Sequence, residues 1–169
     1  TVTIPDVEPG TYYIGVIADY DGEVMESNEP NNDDATPIAI TVDGPPGPDL
    51  VVDADSISVS ETSVDPGQEV TVIWTSRNQG TESAGGSQQG VVWSTDSTID
   101  ASDDLLLGKE VLGPLQAGGF TPASGTVTIP VDAVPGTTYY IGVIADFDGD
   151  VMESNESNND AAAPVAITI

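Results

Sequence analysis

The feature that most constrains this chain is that it repeats itself. The stretch TYYIGVIADYDGEVMESNEPNNDDATPIAITV, from Thr11 to Val42, returns as TYYIGVIADFDGDVMESNESNNDAAAPVAITI from Thr138 to Ile169, with about 25 of 32 positions identical. Identity on that scale at a fixed offset marks consecutive copies of one unit in an array. Tyr13 recurs as Tyr140, so the period is 127 residues, the size of one small domain. The chain therefore reads as one complete unit, residues 48–169, preceded by the C-terminal third of another, residues 1–42. Residues 43–47 form a Gly/Pro linker whose prolines favour extended, semi-rigid geometry.

Within the complete unit, alternation and β-branched enrichment predict strands near Leu50–Val52, Ile57–Ser60, Val70–Arg77, Val91–Ser94, Leu105–Leu112, Thr126–Pro130, Tyr139–Asp146 and Val165–Ile169. Clusters of Gly, Pro, Asn and Asp separate them, and no stretch carries a 3.6-residue period. The expected fold is all-β, an immunoglobulin-like β-sandwich repeated in tandem. Residues 1–42 carry about three strands without the partners needed to bury them, and such small sheets are marginal in water. Their apolar face calls for the rest of a sandwich from another copy, by chain continuity or by strand complementation, with residues 1–42 adopting the fold of residues 126–169.

Charge narrows the function. The 169 residues hold 29 acidic and 2 basic side chains, a formal net charge of −27, with no Cys and no His. Nucleic acid and anionic membrane surfaces are bound through clustered Lys and Arg, and only Arg77 and Lys109 exist. No apolar run reaches a membrane-spanning length, so direct insertion is not expected. The chain opens on Thr1 with neither Met nor leader, which reads as a fragment or a mature product. Carboxylates this dense repel one another in the compact state. Either calcium, which selects carboxylate and carbonyl oxygens in flexible loops, or a salt-dependent acidic surface of the halophile type answers that repulsion.

Several segments together resemble one family: PDLVV at Pro48–Val52, DPGQEVTV at Asp65–Val72, RNQGTESAG at Arg77–Gly85, WSTDSTIDASDDLLLG at Trp93–Gly108 and ADFDGDVMESNESNN at Ala145–Asn159. In order, and over the whole complete unit, they are similar to CARDB, the cell-adhesion-related domain found in bacteria. Residues 1–42 resemble only the C-terminal portion of that family. The resemblance implies a seven-stranded immunoglobulin-like sandwich, often repeated in large secreted or surface proteins. It names no ligand, because fold does not set function.

The candidate metal ligands lie in acidic loops. One loop offers Asp146, Asp148, Glu153, Glu156, Asn158 and Asp160, and its earlier copy offers Asp19, Asp21, Glu26, Glu29 and Asn31. Alternate carboxylates before a tight turn can supply a six- to eight-coordinate calcium ion, although neither loop has EF-hand spacing. The competing reading is that Asn and Asp here make side-chain-to-backbone turns that shape the loop. A second cluster, Asp96, Asp100 and Asp103, follows the Trp93 strand, and Asp43 and Asp49 flank the linker. In a sandwich the first loop lies at the pole where the chain arrives and the second at the opposite pole, so calcium is expected at the seams between head-to-tail repeats.

Trp74 and Trp93 are expected in the core rather than on a sugar-binding surface, and Tyr12, Tyr13, Tyr139 and Tyr140 are expected to lock corners through their hydroxyls. With no His or Cys and a single Lys, nucleophilic catalysis lacks its base. The sequence thus points to a non-enzymatic structural module of an extracellular or cell-surface filament, stalk or adhesin, with neighbouring repeats as partners. The alternative is an adhesive module for a surface glycan or protein.

Overall fold

The computed structural model describes residues 3, 4, 7, 9–32, 37–42, 44–102, 104–160 and 164–169. The chain divides into two units, Thr1–Pro45 and Pro46–Ile169.

In the first unit, strand β1 (Gly10–Ile14) pairs antiparallel with β2 (Ile38–Val42), with Thr11 opposite Thr41 and Tyr13 opposite Ala39. The run Thr-Tyr-Tyr-Ile is rich in the β-branched and aromatic residues that suit a pleated surface. After β1 the chain turns at Asp19, which takes a positive φ of 43°, and at Gly22 with φ 63°. Asp is among the few side-chain-bearing residues that visit this left-handed region, because its short carboxylate can bond locally. The Asp19 carboxylate does so, accepting the N–H groups of Glu23 at 2.9 Å and Val24 at 3.1 Å.

The second unit is all-β. Its strands are β3 (Leu50–Val52), β4 (Ser58–Val59), β5 (Glu69–Asn78), β6 (Ser87–Ser94), β7 (Leu105–Leu112), β8 (Phe120–Thr128), β9 (Thr138–Ile144) and β10 (Val165–Thr168). One sheet runs β10-β9-β6-β7. In the other, β5 is flanked by β3 and β4 on one side and by β8 on the other. Every pairing of these strands is antiparallel.

The core is built by period-two alternation. Along β5 the inward positions are Val70, Val72, Trp74, Ser76 and Asn78, all buried. Val70, Val72 and Trp74 meet Val91 and Trp93 of β6, Ile141 and Val143 of β9 and Ile167 of β10 in one hydrophobic cluster. Burying each large apolar side chain of this kind contributes about 1.5–3 kcal/mol. Both tryptophans are core residues, and Trp93 stacks on Tyr139 with ring centroids 4.6 Å apart. The Tyr139 hydroxyl accepts the Val134 N–H at 3.2 Å, a corner lock of the expected kind.

Two strands are longer than their sequence signals. β8 begins at Phe120 rather than near Thr126, although Pro122, Ala123, Ser124 and Gly125 are weak strand formers. It pairs β5 over nine successive positions, and Pro122 is tolerated because β8 lies at the edge of its sheet. β6 begins at Ser87, with Gln88 and Gln89 recruited by β7 and Gly90 by β7 on one side and β9 on the other. Pairing and burial override local propensity in both cases.

Candidate functional site in the loop between β9 and β10

β9 ends at Ile144, and the loop that follows is folded around its own acidic residues. Asp146 is buried and takes a φ of 41°. Its carboxylate accepts the Asp150 N–H at 3.0 Å and the Val151 N–H at 2.9 Å, while its carbonyl accepts the Gly149 N–H at 2.8 Å. Gly149, at φ 66°, completes the turn. Asp19 and Gly22 of the first unit have the same backbone signs, and the Asp19 carboxylate takes the N–H groups four and five residues on, as Asp146 does. Burial raises the Asp146 carboxyl above its ordinary range, against the lowering effect of its two N–H donors.

The Phe147 ring leaves this turn to lie on Gly90, where a Cβ would meet the ring at 2.3 Å. Lys109 places its ammonium 5.1 Å from the centre of that ring and pairs with Asp148. The other cation of the chain, Arg77, holds Asp53 by two bonds of 2.8 Å. Both positive charges are thereby engaged.

Further along, the loop ties down the segment that leads into β3. The Glu153 carboxylate accepts the Leu50 N–H through one oxygen and the Asn159 side-chain amide, at 2.8 Å, through the other. Burial, ahead of the repulsion from Glu156 and Asp146, pushes the Glu153 carboxyl up to about 7. Ser154 donates its N–H to the Pro48 carbonyl at 2.8 Å, and Asn158 donates to Asp49 at 2.9 Å. Glu156 turns inward to accept the Glu153 N–H at 2.8 Å.

The opposite side of this segment is held by Asn78, which is fully buried. Its side-chain oxygen accepts the N–H groups of Asp49 and Gly80, each at 3.1 Å, and its amide donates to the carbonyls of Glu82 at 2.8 Å and Leu115 at 3.1 Å. Sequence reasoning passed over Asn78. The signal for it is the alternation of β5, which carries the inward series Val70, Val72 and Trp74 on to the polar Ser76 and Asn78.

The loop after β6 behaves differently from its expected isolation at the far pole. Ile99 is buried with Val92 and Ile144 over the outer face of the β6 and β9 pair, and a Cβ on Gly142 would meet it at 2.5 Å. Asp160, bridged to Ile144, is raised by burial and by the charges of Asp100 and Asp104. Asp96, Asp100 and Asp104 each accept a nearby backbone N–H, from Thr98, Ser102 and Asp100. The Ser102 bonds hold Asp100 below its usual range.

Of the residues singled out in the sequence, the fold brings Asp49, Glu153, Glu156 and Asn158 together and leaves Asp146 and Asp148 a turn away. Asp21 is exposed, and Asn31 closes the short 3-10 turn Glu29–Asn31. Asp43, Asp103 and the Glu29 side chain lie outside the described residues. The oxygens of Asp146, Glu153 and Asp49 face N–H donors, whose positive ends oppose a cation. Among the described residues no three acidic side chains converge to hold a metal ion. In this geometry the loop between β9 and β10 acts as a clasp on the segment that leads into β3.

The fold has solved counterparts. The CARDB domain of a Pyrococcus furiosus protein, crystallised in complex with di-metal ions, is 18% identical, with 72% of this chain and 88% of that chain covered at a TM-score of 0.50. The solution structure of that domain gives 18% identity, 73% and 95% coverage and a TM-score of 0.50. A domain of a Methanosarcina acetivorans protein provisionally named a cell surface protein is 22% identical, with 72% and 92% covered and a TM-score of 0.48. No curated protein matches this chain. The CARDB family model matches residues 47–163, a span that runs from the clasped segment before β3 through the clasp itself, and the chain belongs to the CARDB family.

Proposed function

We propose that this chain is a non-catalytic structural module of an extracellular or cell-surface array in which immunoglobulin-like CARDB sandwiches follow one another head to tail. The observation that carries this reading is the recurrence of residues 11–42 at 138–169, with the same pairing register and the same Asp-centred turn. Thr11 faces Thr41 as Thr138 faces Thr168. Two copies of one hairpin in 169 residues are what a repeat array supplies, whereas a specialised recognition site is needed once. The strand order supports the immunoglobulin-like reading, with β3 and β4 serving as one interrupted edge strand and bringing the count to seven. Burial of Trp74 and Trp93 takes both tryptophans away from the surface on which the alternative, a glycan-binding adhesin, would stack a sugar.

Calcium belongs to this reading as the counter-ion of the array. A net charge of −27 calls for cations near the surface, and the Pyrococcus furiosus domain was crystallised with di-metal ions. Where Asp160 meets the charges of Asp100 and Asp104, a cation would relieve repulsion. Asp146 and Glu153 would stay with their N–H donors. Calorimetry of calcium binding at high monovalent salt tests the ion: saturable heat lost in Asp100→Asn/Asp104→Asn supports it, and no heat rejects it. Small-angle scattering of a chain with two complete units tests the array. A stiff, extended pair is expected, and a freely jointed pair rejects it.

A further inference from the structure

The two sheets of the second unit differ in what lies on their outer faces. Over β6 and β9, Ile99 sits against Gly142 and the Phe147 ring against Gly90, so two loops cover that face. Those loops carry Asp96, Asp100, Asp104, Asp146, Asp148 and Asp150. The outer face of the other sheet is open. Alternation turns Thr71, Ile73 and Thr75 of β5 outward, and the alternate positions of β8 from Phe120 to Thr128 are all exposed. Ser58, Ile73 and Ser124 form one row across three strands, with Thr71 and Thr126 in the row to one side and Thr75 and Pro122 in the row to the other. Neither β8 nor β5 from Val70 to Ser76 carries a charged residue. At one end of the face Arg77 is neutralised by Asp53, and Glu69 marks the other end.

Ile73 is 50% exposed at the centre of this field of hydroxyls, and Phe120 is 63% exposed at its edge. We propose that this face is a docking surface for a second copy of the chain, the two sheets packing face to face about a two-fold axis near Ile73. Charge selects the occupant. A chain of net charge −27 repels its own copies, and like charges brought together across an interface oppose docking. Contact through the loop-covered side sets aspartates against aspartates. The open face instead sets an uncharged sheet against its own uncharged image and turns the acidic loops outward. A cationic partner is drawn to those loops and not to this face.

The size of the face sets the strength of the contact. Three strands about 4.8 Å apart and the nine residues of β8 at about 3.3 Å each span roughly 400 Å² on each copy. Two such faces fall short of the roughly 1,200 Å² at which stable specific complexes begin and lie in the range of transient ones. One pair of units therefore associates weakly, and several units engaged at once associate far more tightly. Because the same patch serves both partners, the contact closes as a pair and does not propagate. It joins two chains side by side, and it stands independently of the head-to-tail order proposed above.

The test uses the full chain, which has no cysteine, with a single thiol placed by Ile73→Cys or, on the other sheet, by Val111→Cys. Val111 is the more exposed of the two, at 82%, so random collision favours it. Association through the open face raises the effective concentration of thiols near the axis, and Ile73→Cys should form a disulfide-linked dimer about tenfold faster than Val111→Cys. Adding Ser124→Asp/Thr126→Asp should abolish that advantage, while the neutral pair Ser124→Asn/Thr126→Asn should keep it. In sedimentation the weight-average mass of the unaltered chain should rise with concentration more steeply than that of Ser124→Asp/Thr126→Asp. Residues 1–45 are common to every variant, so contacts through them cancel in the comparison. Equal rates at the two thiols overturn the proposal, as does an advantage that survives the aspartates or is lost with the asparagines. Identical sedimentation of the two chains, with a neutral oligosaccharide bound by the unaltered chain alone, also overturns it and assigns the face to a glycan.

Discussion

The Glu153 carboxylate accepts the backbone N–H of Leu50, 103 residues earlier in the chain. One half-buried acid thus joins the first strand of the domain to the loop before its last strand. This contact makes the clasp sensitive to pH and to substitution.

Glu153 is raised from 4.5 to about 7 in the folded state, chiefly by burial. The folded protein holds that proton more tightly than the unfolded chain, so the stability it contributes is full below about 4.5 and is lost as pH rises through about 7. Asp146 and Asp160 are raised as well and act in the same direction. Asp53 is lowered by Arg77 and acts oppositely, only below its ordinary range. The melting temperature should therefore climb as pH falls from 8 to 5, and Glu153→Gln should flatten the climb. Calorimetric melts across that range at fixed ionic strength measure it; an unchanged slope in the variant would remove Glu153 as the source.

Asn78→Ala should destabilise the domain by about 3 kcal/mol, because it strips partners from two half-buried N–H groups and two carbonyls at once. Asn155→Ala, at an exposed turn where its side chain accepts bonds from Ser157, should stay within about 0.5 kcal/mol. Urea unfolding of the two variants compares them directly.

Gly80→Ala should cost more than Gly90→Ala. At Gly80 a Cβ would meet the Gly47 carbonyl oxygen at 2.3 Å and the Asp49 nitrogen at 2.6 Å, both backbone atoms of the clasped segment. At Gly90 it meets the Phe147 ring, a side chain that can swing outward. Overpacking of this kind costs about 1–3 kcal/mol where neighbours can yield and more where they cannot. Equal losses in denaturant titrations would contradict a backbone origin.

Asp146→Asn keeps a residue that tolerates the left-handed turn but exchanges one acceptor oxygen for an amide donor facing the Asp150 and Val151 N–H groups. The variant should lose about 1–3 kcal/mol, by the same amount in calcium and in chelator. A loss confined to calcium-containing buffer would reassign Asp146 to ion binding.

Much of the domain was legible in the residues alone. Strand identity follows from alternation, and Leu105–Leu112 is bounded as its apolar pattern predicts. The hairpin was legible because its sequence appears twice, and core placement of Trp74 and Trp93 followed from their apolar strand setting. Local bonding is written into local order: Asp146 finds its donors four and five residues away, within reach of any chain that turns at Gly149.

Tertiary structure decided what each carboxylate faces. Nothing near Glu153 in the sequence distinguishes it from Glu156, yet one accepts an N–H from another sheet and the other an N–H three residues away. Asp160 is raised by burial and then by the charges of Asp100 and Asp104, whose loop Ile99 folds back over Gly142. The same apolar residues are core in one copy of the hairpin and exposed in the other, since burial belongs to the partner surface and not to the side chain. Composition supplies the charge, but only the fold determines whether an oxygen meets a donor or another oxygen, and that decides between clasp and cage.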